Sequence, residues 1–225
     1  LSVHPSPELS ADVFLAYSSL SYSLGKNTLA AEFSEKGLGI LGQIPSLPIR
    51  IRLMRNKARA LSQLDQNPEA EKILKQAVDL SEQLEDPKLS AELYVEIARI
   101  ARVKNDTATQ QESGRKILEL AKQLSNSQVS GLGHEVLGLS ALNNNDNAAA
   151  EIELQLAVES FRKLKLVRDE RRVLRQLIRS MLGRNRPQAE VEKNAARLVE
   201  LGIQLESEDR RLAADDFDAR LKYAQ

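Results

Sequence analysis

The sequence predicts an all-α fold: a right-handed superhelical α-solenoid of five helix-turn-helix repeats, closed by a C-terminal capping helix. Three observations predict it. Small and apolar residues recur with a step of 40, polar turn residues recur with the same step, and strand signals are missing, with no alternating β-branched runs and only 4% aromatic residues.

Ser18, Ala58, Ala98 and Gly138 are small residues 40 apart, and Ser21, Leu61, Ala101, Ala141 and Met181 keep the same step. Gly25, Asp65, Asn105, Asn145 and Asn185 suit helix ends and tight turns. Ala30, Ala70 and Ala150 come five later, then Gly37, Ala77 and Ala157 two helical turns further on, and Ile44, Leu84, Leu124 and Leu164 close each unit. The first helices are placed near 10–24, 49–64, 88–104, 127–142 and 167–183, and the second helices near 28–43, 68–84, 107–124, 147–164 and 187–204. Pro68 and Pro187 fit the first helical position, where a missing N–H costs nothing. A hairpin cannot bury its apolar face alone, but stacked hairpins can when small side chains let neighbouring helices approach. The domain plan is a flexible lead segment at 1–9, repeats near 10–48, 49–87, 88–126, 127–166 and 167–205, and a capping or output helix at 206–225.

These residues resemble tetratricopeptide (TPR) repeats. The resemblance rests on the small residue of the first helix and on an alanine pair in the second: Ala70 with Ala77, Ala150 with Ala157, Ala189 with Ala196. The cleanest stretch is "LDQNPEAEKILKQAVDL" at 64–80. The step of 40 is longer than the usual 34 and is similar to the long-helix variety of bacterial sensors and regulators. Two units depart from the pattern: the third has Gln110 and Ile117 in the alanine places, and the fifth looks one residue short.

Composition excludes several functions. Lys plus Arg and Asp plus Glu are both 32, so no overall charge favours nucleic acid or membrane. There is no cysteine for thiolate chemistry, and His4 and His134 stand too far apart in sequence to suggest a metal site. No apolar run is long enough to span a membrane, and no signal peptide is visible; the chain opens with "LSVHPSPEL", as a processed or trimmed chain would. "ADVFLAYSSLSYSLG" at 11–25 fits the first-helix register and lacks the basic cluster of an interfacial helix. No catalytic residues, cofactor or metal are expected; "GLGH" at 131–134 is too short to cradle a phosphate, and His134 reads as a helix-packing residue.

One constellation stands out. Arg52, Arg55 and Arg59 share a helical face, and 120 residues on Arg172, Arg175 and Arg179 repeat it; Arg99 and Arg102 belong to the third unit. In the TPR register these positions line the concave face. Arginine clasps carboxylates or phosphates with two parallel hydrogen bonds, so the expected partner is a protein or peptide with acidic groups, not nucleic acid. The competing reading pairs the same arginines with Glu92, Glu96 and Glu135 on adjacent helices.

The tail "DRRLAADDFDARLKYAQ" carries two patterns. Ala213, Phe217, Leu221 and Ala224 suit a new helix capped at Ser207, whereas Leu198, Leu205, Leu212 and Ala219 recur at seven and suit one long helix. Ser207 favours the break. The tail is also similar to the end of TPR sensor regions in bacterial membrane-bound diguanylate cyclases (GGDEF proteins) and histidine kinases. That resemblance implies an extracytoplasmic (periplasmic) sensory region with an output enzyme beyond Gln225; this chain itself is expected to be non-catalytic, and its C-terminal helix is a candidate for oligomer formation. A self-contained adaptor, or a cytoplasmic regulator of transcription or phosphotransfer, are the alternatives.

Overall fold

The structure, a computed structural model, describes residues 6–42 and 44–223, with 209–223 as backbone only. The described residues form α1 (Pro7–Ser23), α2 (Asn27–Leu41), α3 (Leu47–Gln63), α4 (Asn67–Gln83), α5 (Pro87–Val103), α6 (Thr107–Leu124), α7 (Ser127–Asn143), α8 (Asn147–Lys163), α9 (Val167–Gly183) and α10 (Gln188–Tyr223). None of them is in a strand. The lead segment is shorter than expected: α1 begins at Pro7, and the Ser6 hydroxyl accepts a hydrogen bond from the Leu9 N–H at 3.2 Å. Residues 1–5 lie outside the described part.

One turn, used repeatedly, cuts the chain into helices. A left-handed residue stands at Gly25, Asp65, Glu85, Asn105, Ser125, Asn145, Lys165 and Asn185, all with φ between 48° and 72° and separated by 20 residues or a multiple of it. The next amide reaches back five positions, as in Gln66 to the Leu61 carbonyl (2.9 Å), Asp106 to Ala101 (2.8 Å), Asp146 to Ala141 (2.9 Å) and Arg186 to Met181 (3.1 Å). This is the Schellman closure, and it explains why the column Ser21, Leu61, Ala101, Ala141 and Met181 is in register. Asp86, Asp106 and Asp146 then start the following helices by accepting from Leu89, Thr109 and Ala149, each at 3.0 Å. Caps of this type stabilise by about 1 kcal/mol each.

The chain divides into two compact units, one through Val129 and one from Ser130. In the first, hairpins α1/α2, α3/α4 and α5/α6 pack in sequence, and α1, α3 and α5 also touch one another as a layer of first helices. Its core joins Ile51, Ala58, Leu74, Ala77, Leu93 and Ile100. The small residue of the first hairpin is polar but satisfied: Ser18 Oγ lies 3.0 Å from the Ala30 carbonyl and 2.7 Å from Ser34 Oγ. In the third hairpin Gln110 (1% exposed) and Ile117 (0%) occupy the alanine places, and Gly114, also buried, provides the room between them.

In the second unit Leu154, Ala157, Phe161, Val173, Leu174, Leu177 and Leu201 form one core. The fifth repeat corrects the sequence reading. Ala189 and Ala196 are exposed, and the buried side of α10 is Asn194, Leu198 and Leu201, 40 residues after Leu154, Val158 and Phe161. With Asn185 also 40 after Asn145 and both left-handed, no residue is missing. The expected break at Ser207 does not occur either. Ser207 Oγ donates to the Gln204 carbonyl (2.7 Å) from inside α10, a bond a helical serine makes when it is not a cap. Of the heptad residues, Leu198 and Leu205 are half-buried; Leu212, Ala219 and the stripe from Ala213 to Ala224 lie outside the described side chains.

Candidate functional site

The eight arginines fall into two sets, one in each unit. In the first unit α3 supplies Arg52, Arg55 and Arg59, and α5 supplies Arg99 and Arg102, because the step of 40 puts equivalent faces of neighbouring first helices side by side. Arg55 pairs with Glu92. Arg59 Nε stands 3.1 Å from Glu96, which is 8% exposed, and Arg99 pairs with the same carboxylate. Arg99 Nη1 also donates to the Tyr22 hydroxyl of α1 (2.6 Å), and the Arg59 guanidinium lies 4.2 Å from the Tyr22 ring centroid. Burial lowers the pKa of Arg55, and Glu96 opposes that while Arg59 and Arg52 add to it. Three of the five predicted residues are therefore tied into a ladder across α1, α3 and α5. Arg52 and Arg102 are exposed and make no ion pair among the described residues.

In the second unit Arg172 is also tied down. Its Nε and Nη2 both donate to Glu135 at 2.7 Å, and Nη1 lies 2.7 Å from Asp169, which holds its pKa well above the usual arginine value. Arg175 and Arg179 are exposed and make no ion pair among the described residues. The pairing with Glu92, Glu96 and Glu135 weighed from sequence is thus realised at Arg55, Arg59, Arg99 and Arg172.

The structure adds residues that the sequence reading passed over. Arg168, Arg171, Arg172 and Arg175 of α9, with Leu205 of α10, line a concavity of about 330 Å³. Arg171 Nε is buried there without a hydrogen-bond partner. The spacing of 3 and 4 along "VRDERRVLRQLIRS" marks this face, but Arg168 and Arg171 have no arginine 40 or 120 residues earlier to single them out. On the opposite side of α9 the buried Glu170 (1% exposed) accepts from Arg162 Nε at 2.8 Å and from Arg197 Nε and Nη2 at 3.0 Å each. Burial pushes this carboxyl up, but the bonds from Arg197 and Arg162 outweigh it and hold the pKa below the ordinary value. α9 therefore carries Glu170 neutralised on one side and, on the other, Arg172 paired with Glu135 and Asp169 beside Arg171 and the exposed Arg175.

His134 is a packing residue with a partner: its Nδ1 lies 2.8 Å from Glu153 Oε2. Among the described residues no group of three or more histidines or carboxylates is placed to hold a metal, and no helix is long and apolar enough to cross a membrane.

No protein-family model and no curated protein matches the chain. Solved structures do. A protein of Podosopora anserina assigned as a kinesin light chain, with nearly identical TPR-like repeats, superposes with a TM-score of 0.67 at 16% identity, over 90% of this chain and 99% of its own. A variant of it gives 0.68 at 15% identity, over 91% and 100%. BtubC (BKLC) of P. vanneervenii gives 0.67 at 11% identity, over 90% and 93%. The chain has the TPR-like repeat fold.

Proposed function

We propose that this chain is a non-catalytic, protein-binding repeat module whose second unit receives an acidic segment of its partner on the α9 arginine face. The TPR-like fold supports a protein-interaction scaffold in general terms. The observation that carries the finer reading is the concavity lined by Arg168, Arg171, Arg172 and Arg175, in which Arg172 is already paired with Glu135 and Asp169 and Arg171 and Arg175 are the cations taken to bind. Arg175 is exposed beside Arg171, one helical turn away, and two guanidinium forks at that spacing suit successive carboxylates of an extended peptide. Leu205 gives the site an apolar floor, which strengthens charge-assisted bonds made above it.

The test is fluorescence anisotropy with a labelled acidic peptide rich in Glu, against a scrambled neutral peptide. Binding is expected to weaken as salt rises and to fall about tenfold or more in the Arg171→Ala, Arg175→Ala double variant. Equal affinity of the double variant for the acidic peptide overturns the reading.

A second element of the proposal is a sensory role of the bacterial diguanylate cyclase-like kind, with the module outside the cytoplasm. What supports it is that α10 is a single helix from Gln188 to Tyr223, so a partner seated on α9 and Leu205 also bears on the C-terminal helix. The alternatives are a self-contained adaptor and a cytoplasmic regulator. Fusing a reporter after Gln225 and asking whether acidic peptide changes its output separates the first from both.

A further inference from the structure

α1 exposes an apolar stripe, in which the Tyr17 ring leans on that of Phe33 of α2 with 5.4 Å between centroids and is still half exposed. Leu9 is 56% exposed, Val13 46%, Tyr17 51%, Leu20 55% and Leu24 60%, and Ala16 is exposed between them. Such a stripe is unusual on a surface helix, whose scattered single hydrophobes need no explanation but whose contiguous ones do. The repeat shows what this register is built for. Eighty residues later the same positions of α5 are Leu89 (3% exposed), Leu93 (0%), Ile97 and Ile100 (1%), and they pack against the preceding hairpin. Forty residues later Leu53 and Ala60 of α3 are both fully buried. α1 thus presents a helix-packing surface.

The stripe is also a palindrome. Leu9 and Leu24, Val13 and Leu20, and Ala16 and Tyr17 are equidistant from the midpoint between residues 16 and 17. A surface with this symmetry is complementary to itself when a second helix is laid antiparallel upon it, which is the requirement of a two-fold interface. Charge agrees. The only ionisable groups from Ser6 to Gly25, the tyrosines aside, are Glu8 and Asp12, and Lys26 follows directly. In the antiparallel pairing Glu8 of one copy comes beside Lys26 of the other, at both ends of the contact, and the helix dipoles oppose. An anionic membrane surface, by contrast, meets only acidic groups along this helix.

We propose that α1 is a homodimerisation surface, on which a second copy of this chain docks its own α1 antiparallel about a two-fold axis between Ala16 and Tyr17. A contact of one 17-residue helix on another is small, near the lower limit for a specific interface, so the dimer is a weak, reversible one.

Sedimentation velocity of the full chain up to about 300 μM is expected to show reversible conversion from monomer to dimer. Val13→Glu with Leu20→Glu, both at exposed positions, leaves the helical circular dichroism unchanged and shifts dimerisation at least tenfold to higher concentration. Glu8→Lys and Lys26→Glu each weaken self-association, and an equimolar mixture of the two single variants restores it, because each then meets the opposite charge. The chain has no cysteine, so orientation can be read by cross-linking. A short bismaleimide is expected to join Tyr17→Cys chains to one another, and to join Leu9→Cys to Leu24→Cys, but not to join Leu9→Cys to itself. A monomer at the highest concentration overturns the proposal, as does a dimer indifferent to the Val13 and Leu20 changes. So does Leu9→Cys self-linking, which reports a parallel pair, or binding to anionic vesicles without self-association.

Discussion

Gly138 of α7 sits directly against Leu154 of α8: a Cβ added at 138 would stand 2.6 Å from Leu154 Cγ and 3.3 Å from its backbone nitrogen. This contact is the physical meaning of the small-residue column. The hairpin closes because one position in the first helix has nothing, or almost nothing, on its Cα.

Gly138→Ala therefore destabilises the protein although alanine is the better helix former. Overpacking costs about 1–3 kcal/mol, and the propensity gain of up to about 1 kcal/mol does not cover it. Gly39 of α2, with nothing within 4 Å of its added Cβ, is the control. Gly39→Ala raises stability by about 0.5–1 kcal/mol. Urea denaturation followed by circular dichroism gives both signs in one experiment; equal effects of the two substitutions would refute the close-approach reading.

The repeated turn predicts a stabilising change at two places. Glu85 (φ 55°) and Lys165 (φ 56°) hold the left-handed conformation where the other turns, Ser125 apart, use Gly, Asn or Asp. Relief of that backbone strain makes Glu85→Gly and Lys165→Gly favourable by roughly 0.5–1 kcal/mol each. Asn145→Val, which puts a β-branched residue at φ 59°, is unfavourable by about 1–2 kcal/mol. Melting temperatures of the three variants decide the matter.

Most of the fold is legible in the sequence because its determinants are local and recur: a left-handed residue, a cap, and a small residue facing the next helix each repeat on a fixed step. Where the reading failed, a local signal was overruled by context. Ser207 looks like a cap, but nothing around it stops α10, and a helix continues wherever each carbonyl finds its amide. Ala189 and Ala196 look like the packing pair, but Leu198 and Leu201 bury more apolar surface when the helix turns the other way. The arginines were visible and their pairing was not. Whether Arg55 meets Glu92 depends on the 37-residue offset between α3 and α5, a tertiary fact. Arg168 and Arg171 fell outside the repeated positions, and their concavity exists only because Leu205 of α10 lies across from them.

Glu170 makes stability depend on acid pH. Its folded pKa lies below the ordinary carboxylate value, because Arg197 and Arg162 outweigh its burial. The unfolded chain therefore takes up the proton first as pH falls. The stabilisation is fully present above the unfolded pKa and is lost as pH drops through the folded one. Glu170→Gln costs about 1–3 kcal/mol at pH 7, where two arginines lose their charge partner but can still reach water. The same substitution costs less as pH approaches 3. A pH series of urea midpoints for wild type and variant checks this; a constant difference from pH 7 to pH 3 would contradict it.

Arg172 and Arg175 are three residues apart on α9 and have opposite roles, and this separates stability from binding. Arg172 neutralises Glu135, which is 8% exposed, so Arg172→Ala strands a buried carboxylate and costs about 1–2 kcal/mol, the pair's own exposure having been discounted. Arg175 makes no ion pair among the described residues, so Arg175→Ala changes stability by no more than about 0.5 kcal/mol. Affinity for an acidic peptide behaves in the reverse order: it falls in Arg175→Ala and, once the loss of folded protein is corrected for, less in Arg172→Ala, whose donors are already spent on Glu135 and Asp169. Denaturation and anisotropy on the same two variants test this together. If Arg175→Ala proves the more destabilising of the two, the exposed face of α9 is structural, and it is not where a partner binds.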